Sequence, residues 1–167
     1  YESNAPIAAF IGIDRKNPDR YLANVAHSGL GLPDRDYYLE DSERFAAIRE
    51  AYEENIAAVL AFTGLDEAAA AGAAADILAL ETSIAEHHWP RAQLRDRDLT
   101  YNMKTFEELE AEFPSYPWRL HIEGSGLDPE AVDELNVYTP SALEPLATLA
   151  MATPLDTWKQ YLAYHTV

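Results

Sequence analysis

Cysteine is absent from the 167 residues, which excludes a disulfide framework and leaves the redox compartment unreadable. Basic residues are scarce: 12 Lys and Arg stand against 29 Asp and Glu, a formal net charge of −17. Such a chain is repelled by a phosphate backbone and by an anionic membrane surface, so nucleic acid is not an expected partner and no membrane contact is expected of this segment. No apolar run approaches the ~20 residues that span a bilayer, and no charged-then-apolar leader opens the chain. Gly-x-Ser-x-Gly does not occur, and Gly124-Ser125-Gly126 has only the composition of a turn, so serine nucleophile chemistry finds no support. The five histidines, His27, His87, His88, His121 and His165, never stand four apart, and none is followed by glutamate. A helix-borne zinc pair is therefore missing from these residues.

What is present is ordinary globular content, 48% apolar and 11% aromatic, enough for one domain with a real core. Two extended runs, Ile7 to Ile13 and Tyr21 to Ser28, flank a turn built on Asn17 and Pro18, which predicts a β-hairpin over about 7–28. Weak alternation in the second run fits a strand covered on both faces. Helices are expected from about 42 to 167. Ser42 is placed to cap an amphipathic helix through Phe45, Ile48, Tyr52, Ile56 and Leu60, stopped at Thr63-Gly64. Asp66 opens an alanine-rich helix through Ile77, Leu80, Ile84 and His88. Thr105 and Glu108 fit a capping box, Pro117-Trp118 begins a short helix, and Asn136 to Thr139 reads as a short strand or extended link. Ser141 opens a helix through Met151. In the last helix, Leu155, Trp158, Tyr161, Leu162 and His165 fall on one side, and its partner elements are expected in sequence beyond this chain. The opening Tyr1-Glu2-Ser3-Asn4 lacks methionine, as expected of a chain whose upstream sequence has been removed.

No helix or strand period explains Gly29-Leu30-Gly31-Leu32-Pro33-Asp34-Arg35-Asp36-Tyr37-Tyr38-Leu39. Its glycines and proline specify an irregular path over 29–39, and its charged residues and tyrosines offer polar anchors that hold a connector in place. This loop is followed in order by Leu94-Arg95-Asp96, Tyr101-Asn102-Met103, Pro117-Trp118, Val137-Tyr138-Thr139-Pro140 and Thr153-Pro154-Leu155-Asp156-Thr157-Trp158. In that order and spacing the chain resembles the N-terminal region of the neprilysin-like zinc metallopeptidases, the M13 family, from about Ile7 to its last residue. The resemblance implies a mainly α fold, a multi-helix segment with one N-terminal β-hairpin, part of a larger two-lobed peptidase. It also implies zinc in the parent enzyme, bound outside this chain, and an extracytoplasmic parent. The implied role is access control: a helical cap over the catalytic half of the same polypeptide, admitting peptide substrates. A non-enzymatic peptide- or protein-binding helical module is the alternative.

Within the chain no catalytic, cofactor or metal residue is assigned. Glu81, Glu86, His87 and His88 are ligand types, but their spacing is not that of inward-facing carboxylate-metal sites, and a surface histidine pair at a helix end is the simpler reading. Glu107, Glu108, Glu110 and Glu112 read as a solvated helix face, because a calcium loop needs a central glycine. Arg95 and Asp96 fit a buried ion pair fixing the path between helices. Tyr101 and Asn102 are expected to orient nearby backbone. Trp118 and Trp158 are core anchors, and only Trp89 is expected to be partly exposed.

Overall fold

β-branched and aromatic residues in two seven-residue runs form β1, Ile7–Ile13, and β2, Tyr21–His27, which pair antiparallel with Ile13 opposite Tyr21. The computed structural model describes residues 5–166, and these divide into two compact units. One contains the chain up to Gly29 together with His88–Met151; the other contains Leu30–His87 and the chain from Ala152 onward.

In the first unit the expected hairpin is half of a larger sheet. Strand order is β1-β2-β4-β3, where β3 is Met103–Thr105 and β4 is Glu134–Val137. β4 runs parallel to β2 and antiparallel to β3. β4 thus begins two residues before the extended segment read at 136–139, while the three residues of β3 are too few to carry a period. β2 is interior, and Leu22, Ala23, Asn24 and Val25 are all buried, so both of its faces are covered. The α-helices of this unit are α4, Arg91–Leu94; α5, Phe106–Glu112; α6, Trp118–Gly124; and α7, which starts at Pro140, with a 3-10 turn at Pro129–Ala131. The capping box at α5 forms as expected, with Glu108 N donating to Thr105 Oγ1 at 3.1 Å and Thr105 N to a Glu108 carboxylate oxygen at 2.8 Å. Trp118 is 1% exposed because its indole N–H finds the Phe113 carbonyl at 3.0 Å.

The second unit is helical: α1, Asp36–Leu39; α2, Glu43–Phe62; α3, Glu67–His87; and α8, Leu155–Thr166. Ser42 caps α2 through Phe45 N at 3.3 Å, Gly64 takes a left-handed φ of +100° after it, and Asp66 receives Ala69 N at 2.8 Å. α3 turns Ala70, Ala73, Ala74, Ile77, Leu80 and Ile84 inward. Contrary to the expectation that no run is long enough, α3 meets the length and apolarity of a membrane-crossing helix, because its alanines count as apolar across 18 residues. It also turns the carboxylate of Glu81 into the unit, as described below. The stripe expected on α8 divides: Tyr161 and the His165 side chain are buried, Leu155 and Leu162 exposed. At 100° per residue those positions span about 120° of arc, and the edge of the core falls within it.

Gly72 sits on α3 with nothing within 4 Å of the place a Cβ would take, and it is exposed. Gly72→Ala is expected to stabilise the protein by about 0.5–1 kcal/mol, read as a raised denaturant midpoint, because only helical entropy changes there. A lowered midpoint would show that the open space is occupied in solution.

Candidate functional site

The most elaborated polar site lies in the helical unit. Glu81 occurs on α3 between Ile77 and Ile84, spacings of four and three that put it on the buried face, and it is fully buried. Four groups converge on its carboxylate. Tyr38 OH donates at 2.6 Å, Tyr52 OH shares its hydrogen between both oxygens at 3.0 Å, His165 Nε2 lies at 2.8 Å and Gly31 N at 3.3 Å. Because the carboxylate accepts, Nε2 of His165 carries the proton. Tyr38 OH also accepts from Leu32 N at 2.8 Å, so one phenol joins the loop to the helix. Burial first, and then the charge of Glu81, pushes the Tyr38 and Tyr52 hydroxyls well above the usual phenol range, which keeps both as donors. Tyr161 and Tyr164 wall the histidine, with ring centroids 4.3 and 4.9 Å from His165.

Each loop glycine answers to its own surroundings, and Gly31 to this site. A Cβ on Gly31 would stand 1.8 Å from the Tyr52 hydroxyl oxygen and 3.3 Å from Glu81 Oε1. Gly29, in the other unit, has φ +91° and would bring a Cβ to 3.0 Å from Pro6 Cα. Glu81 with its partners is therefore a clamp on an irregular loop. Its acceptor positions are filled and closed to solvent, so it has no opening through which to exchange a proton with a substrate.

In the sheet unit a second polar cluster closes the hairpin. Asp14 receives Lys16 N at 2.8 Å, Arg20 Nε at 2.8 Å and Tyr101 OH at 2.9 Å, and Arg20 also reaches Glu134 at 3.0 Å. The backbone N–H of Lys16, followed by the Arg20 guanidinium, lowers the Asp14 carboxyl to about 2. On the neighbouring strands Asn136 Nδ2 donates to Asn24 Oδ1 and to Thr100 O, both at 3.1 Å, and Asn102 N donates to Asn136 Oδ1 at 2.7 Å. A shallow cavity of about 100 Å³ lies over this face, lined in part by Phe10, Asp14, Arg15, Tyr101 and Tyr138.

Asp14 yields a pH expectation. Its folded pKa lies below the unfolded value of 3.8, so its contribution is present above about pH 4 and is lost as pH falls toward 2. Asp14→Asn is expected to lower stability at neutral pH and to flatten the acid-unfolding profile between pH 4 and 2. An unchanged profile would place the acid sensitivity elsewhere.

The other sequence candidates disperse. Glu86 is exposed and His87 half-buried, but His88 is buried rather than a surface group. The chain leaves the helix at His87, and His88 Nε2 meets Ser28 O at 3.0 Å while its ring stacks on His27 at 3.8 Å. Arg95 and Asp96 are both exposed instead of forming a buried pair, because Asp96 Oδ1 is used by Asp98 N and Leu99 N to close its own turn. Asn102 holds backbone through Leu99 O and Val137 O at 2.7 and 3.0 Å. Of the acidic helix face, Glu107, Glu108 and Glu112 are exposed and Glu110 is half-buried, and Glu112 pairs with Lys104. Trp89 is half-buried and donates to Ser141 Oγ at 2.8 Å; Trp158 is half-buried rather than a full core anchor. The convergence of Glu81 with His165 and of Asp14 with Tyr101 had no local signal, except that Glu81 stood at a core position where a carboxylate demands donors.

Among the described residues no group of three or more His, Asp or Glu side chains gathers as metal ligands. Glu81 and His165 are ligand types in contact, but two phenols and a backbone N–H occupy the carboxylate around them. The residues here do not fit zinc.

The family model described as Peptidase family M13 matches residues 1–167, the whole chain. Endothelin-converting enzyme 1 of Cavia porcellus is 29% identical over 170 residues, covering 100% of this chain and 22% of that protein. Membrane metallo-endopeptidase-like 1 of Mus musculus is 27% identical, covering 96% of this chain and 22% of that protein. Among solved structures, zinc metalloprotease Zmp1 of Mycobacterium tuberculosis in its open state matches with TM-score 0.86 and 34% identity, over 98% of this chain and 25% of that one. PepO from Lactobacillus rhamnosis, at TM-score 0.68 and 18% identity over 95% of this chain and 24% of that one, shares the fold. This chain thus spans 22% of the length of the curated relatives it matches.

Proposed function

Since this chain belongs to peptidase family M13, as part of its N-terminal region, we propose that residues 1–167 act as a single segment of the substrate-gating cap of a zinc metalloendopeptidase. The parent cleaves peptides, and its catalytic zinc half is another stretch of the same polypeptide. The segment alone is inactive, the parent works outside the cytoplasm, and the partners of this segment are that catalytic half and the peptide substrate. The observation that carries the reading is the match of all 167 residues to the family, beside two buried polar clusters, at Glu81 and at Asn136, whose members bond to one another. The Mycobacterium relative supports a parent that opens to differing extents, because it is described both in an open state and in a partial open state.

The test is proteolysis by the purified parent protein on substrates graded in size, from short peptides to a stably folded protein, with and without a zinc chelator. Gating predicts chelator-sensitive cleavage of the peptides and survival of the folded protein. Equal cleavage of both would remove the cap role, and no cleavage by a zinc-loaded parent would favour a peptide-binding module.

A further inference from the structure

β1 is an edge strand without the usual protection. Its seven residues include no charge and no proline, and its register with β2 is unbroken by a bulge, whereas exposed edges are ordinarily blunted by one of these. The phase of the ladder shows which backbone groups face outward. Asp14 N donates to Arg20 O at 3.0 Å at one end and Ser28 N to Pro6 O at 2.8 Å at the other, so the even-numbered residues between them make the narrow hydrogen-bonded pairs. The N–H and C=O groups of Ala9, Ile11 and Ile13 therefore point away from β2. Tyr138 N, which donates to Val25 O at 2.8 Å across the opposite edge of β2, obeys the same phase.

The side chains repeat the pattern. Ile11, Ile13 and Tyr21 share one face of the hairpin by register, and they are 49%, 59% and 75% exposed. The same face carries Ile7, Val25 and Leu135, each wholly buried. An apolar surface continuous with the core of this unit thus runs out to an open strand edge.

We propose that β1 receives a further strand, supplied by a segment of the parent polypeptide outside residues 1–167. It bonds to Ala9, Ile11 and Ile13 and lays apolar side chains over Ile11, Ile13 and Tyr21. Three considerations select this occupant. The relatives are covered by this chain over only 22% of their length, so most of the polypeptide is available to supply it. A second copy brings another net charge of −17 and is repelled. A tethered strand binds at the high effective concentration of its own chain, which a free peptide lacks. The proposal rests on family membership and not on the gating role.

Site-resolved hydrogen exchange on the intact parent protein tests it. The amides of Ile11 and Ile13 are expected to exchange at least ~100-fold more slowly than free-chain amides, independent of protein concentration and of added peptide. Ile11→Pro removes an outward N–H and leaves the β1 to β2 bonds in place, so it is expected to deprotect Ile13 selectively. Free-chain exchange in the wild-type parent overturns the proposal. Protection that dilutes away with concentration overturns it in favour of a second copy, and protection that appears only with added peptide overturns it in favour of substrate. The proteolysis assay is read separately, so failure of the cap role leaves this result interpretable.

Discussion

Glu81→Ala is expected to cost about 2–5 kcal/mol, the scale of two buried hydrogen-bond donors left without a partner. The substitution strands Tyr38 OH and the Nε2–H of His165, on side chains only a few per cent exposed, and each orphaned buried donor costs roughly 1–3 kcal/mol. Relief of carboxylate desolvation works in the opposite direction. It is the smaller effect, because four donors already replace the lost hydration. Glu81→Gln fills the same volume but presents an amide NH2 to donors, so a smaller loss is expected. Denaturant midpoints of the three proteins decide the matter. If Glu81→Ala fell by less than about 1 kcal/mol, the clamp would not hold the loop.

Gly31→Ala is the second large effect, at about 3 kcal/mol, the upper end for overpacking. One methyl group would meet the Tyr52 hydroxyl at 1.8 Å and its Cζ at 2.8 Å, so the ring itself must retreat and its bonds to Glu81 are lost. Tyr52→Phe alone forfeits only the hydrogen bonds. In the double variant the nearest clash disappears, so the two costs are expected to be less than additive, and a double-mutant cycle measures the coupling. Strict additivity would mean that residue 31 and the Tyr52 hydroxyl do not meet in solution.

Much of this architecture is written locally. Ser42, Gly64, Asp66 and the Thr105 and Glu108 pair mark helix ends through contacts within three residues, and the structure places them as read. The hairpin was legible because the turn residues Asn17 and Pro18 separate two extended runs. The pairing of β4 with β2 was not, since Asn24 and Asn136 meet across 112 residues and nothing in either segment names the other. Arg95 and Asp96 misled because an adjacent pair of opposite charges says nothing about burial, while Asp96 had a nearer use in its own turn. The clamp was half visible: the loop demanded anchors and Glu81 sat among core positions, but no period connects α3 to a histidine in the last helix.

That last link sets an order of events during synthesis. Glu81 and His165 are 84 residues apart in the chain, and at roughly 5–20 residues per second the ribosome delivers the histidine about 4–17 s after the glutamate. Tyr38 and Tyr52 precede Glu81, so three of its partners can assemble while the last helix is still being made. A nascent chain arrested before residue 165 would hold its loop by this partial grip alone, and protease sensitivity of the 29–39 segment in such a stalled chain should fall when the final helix emerges.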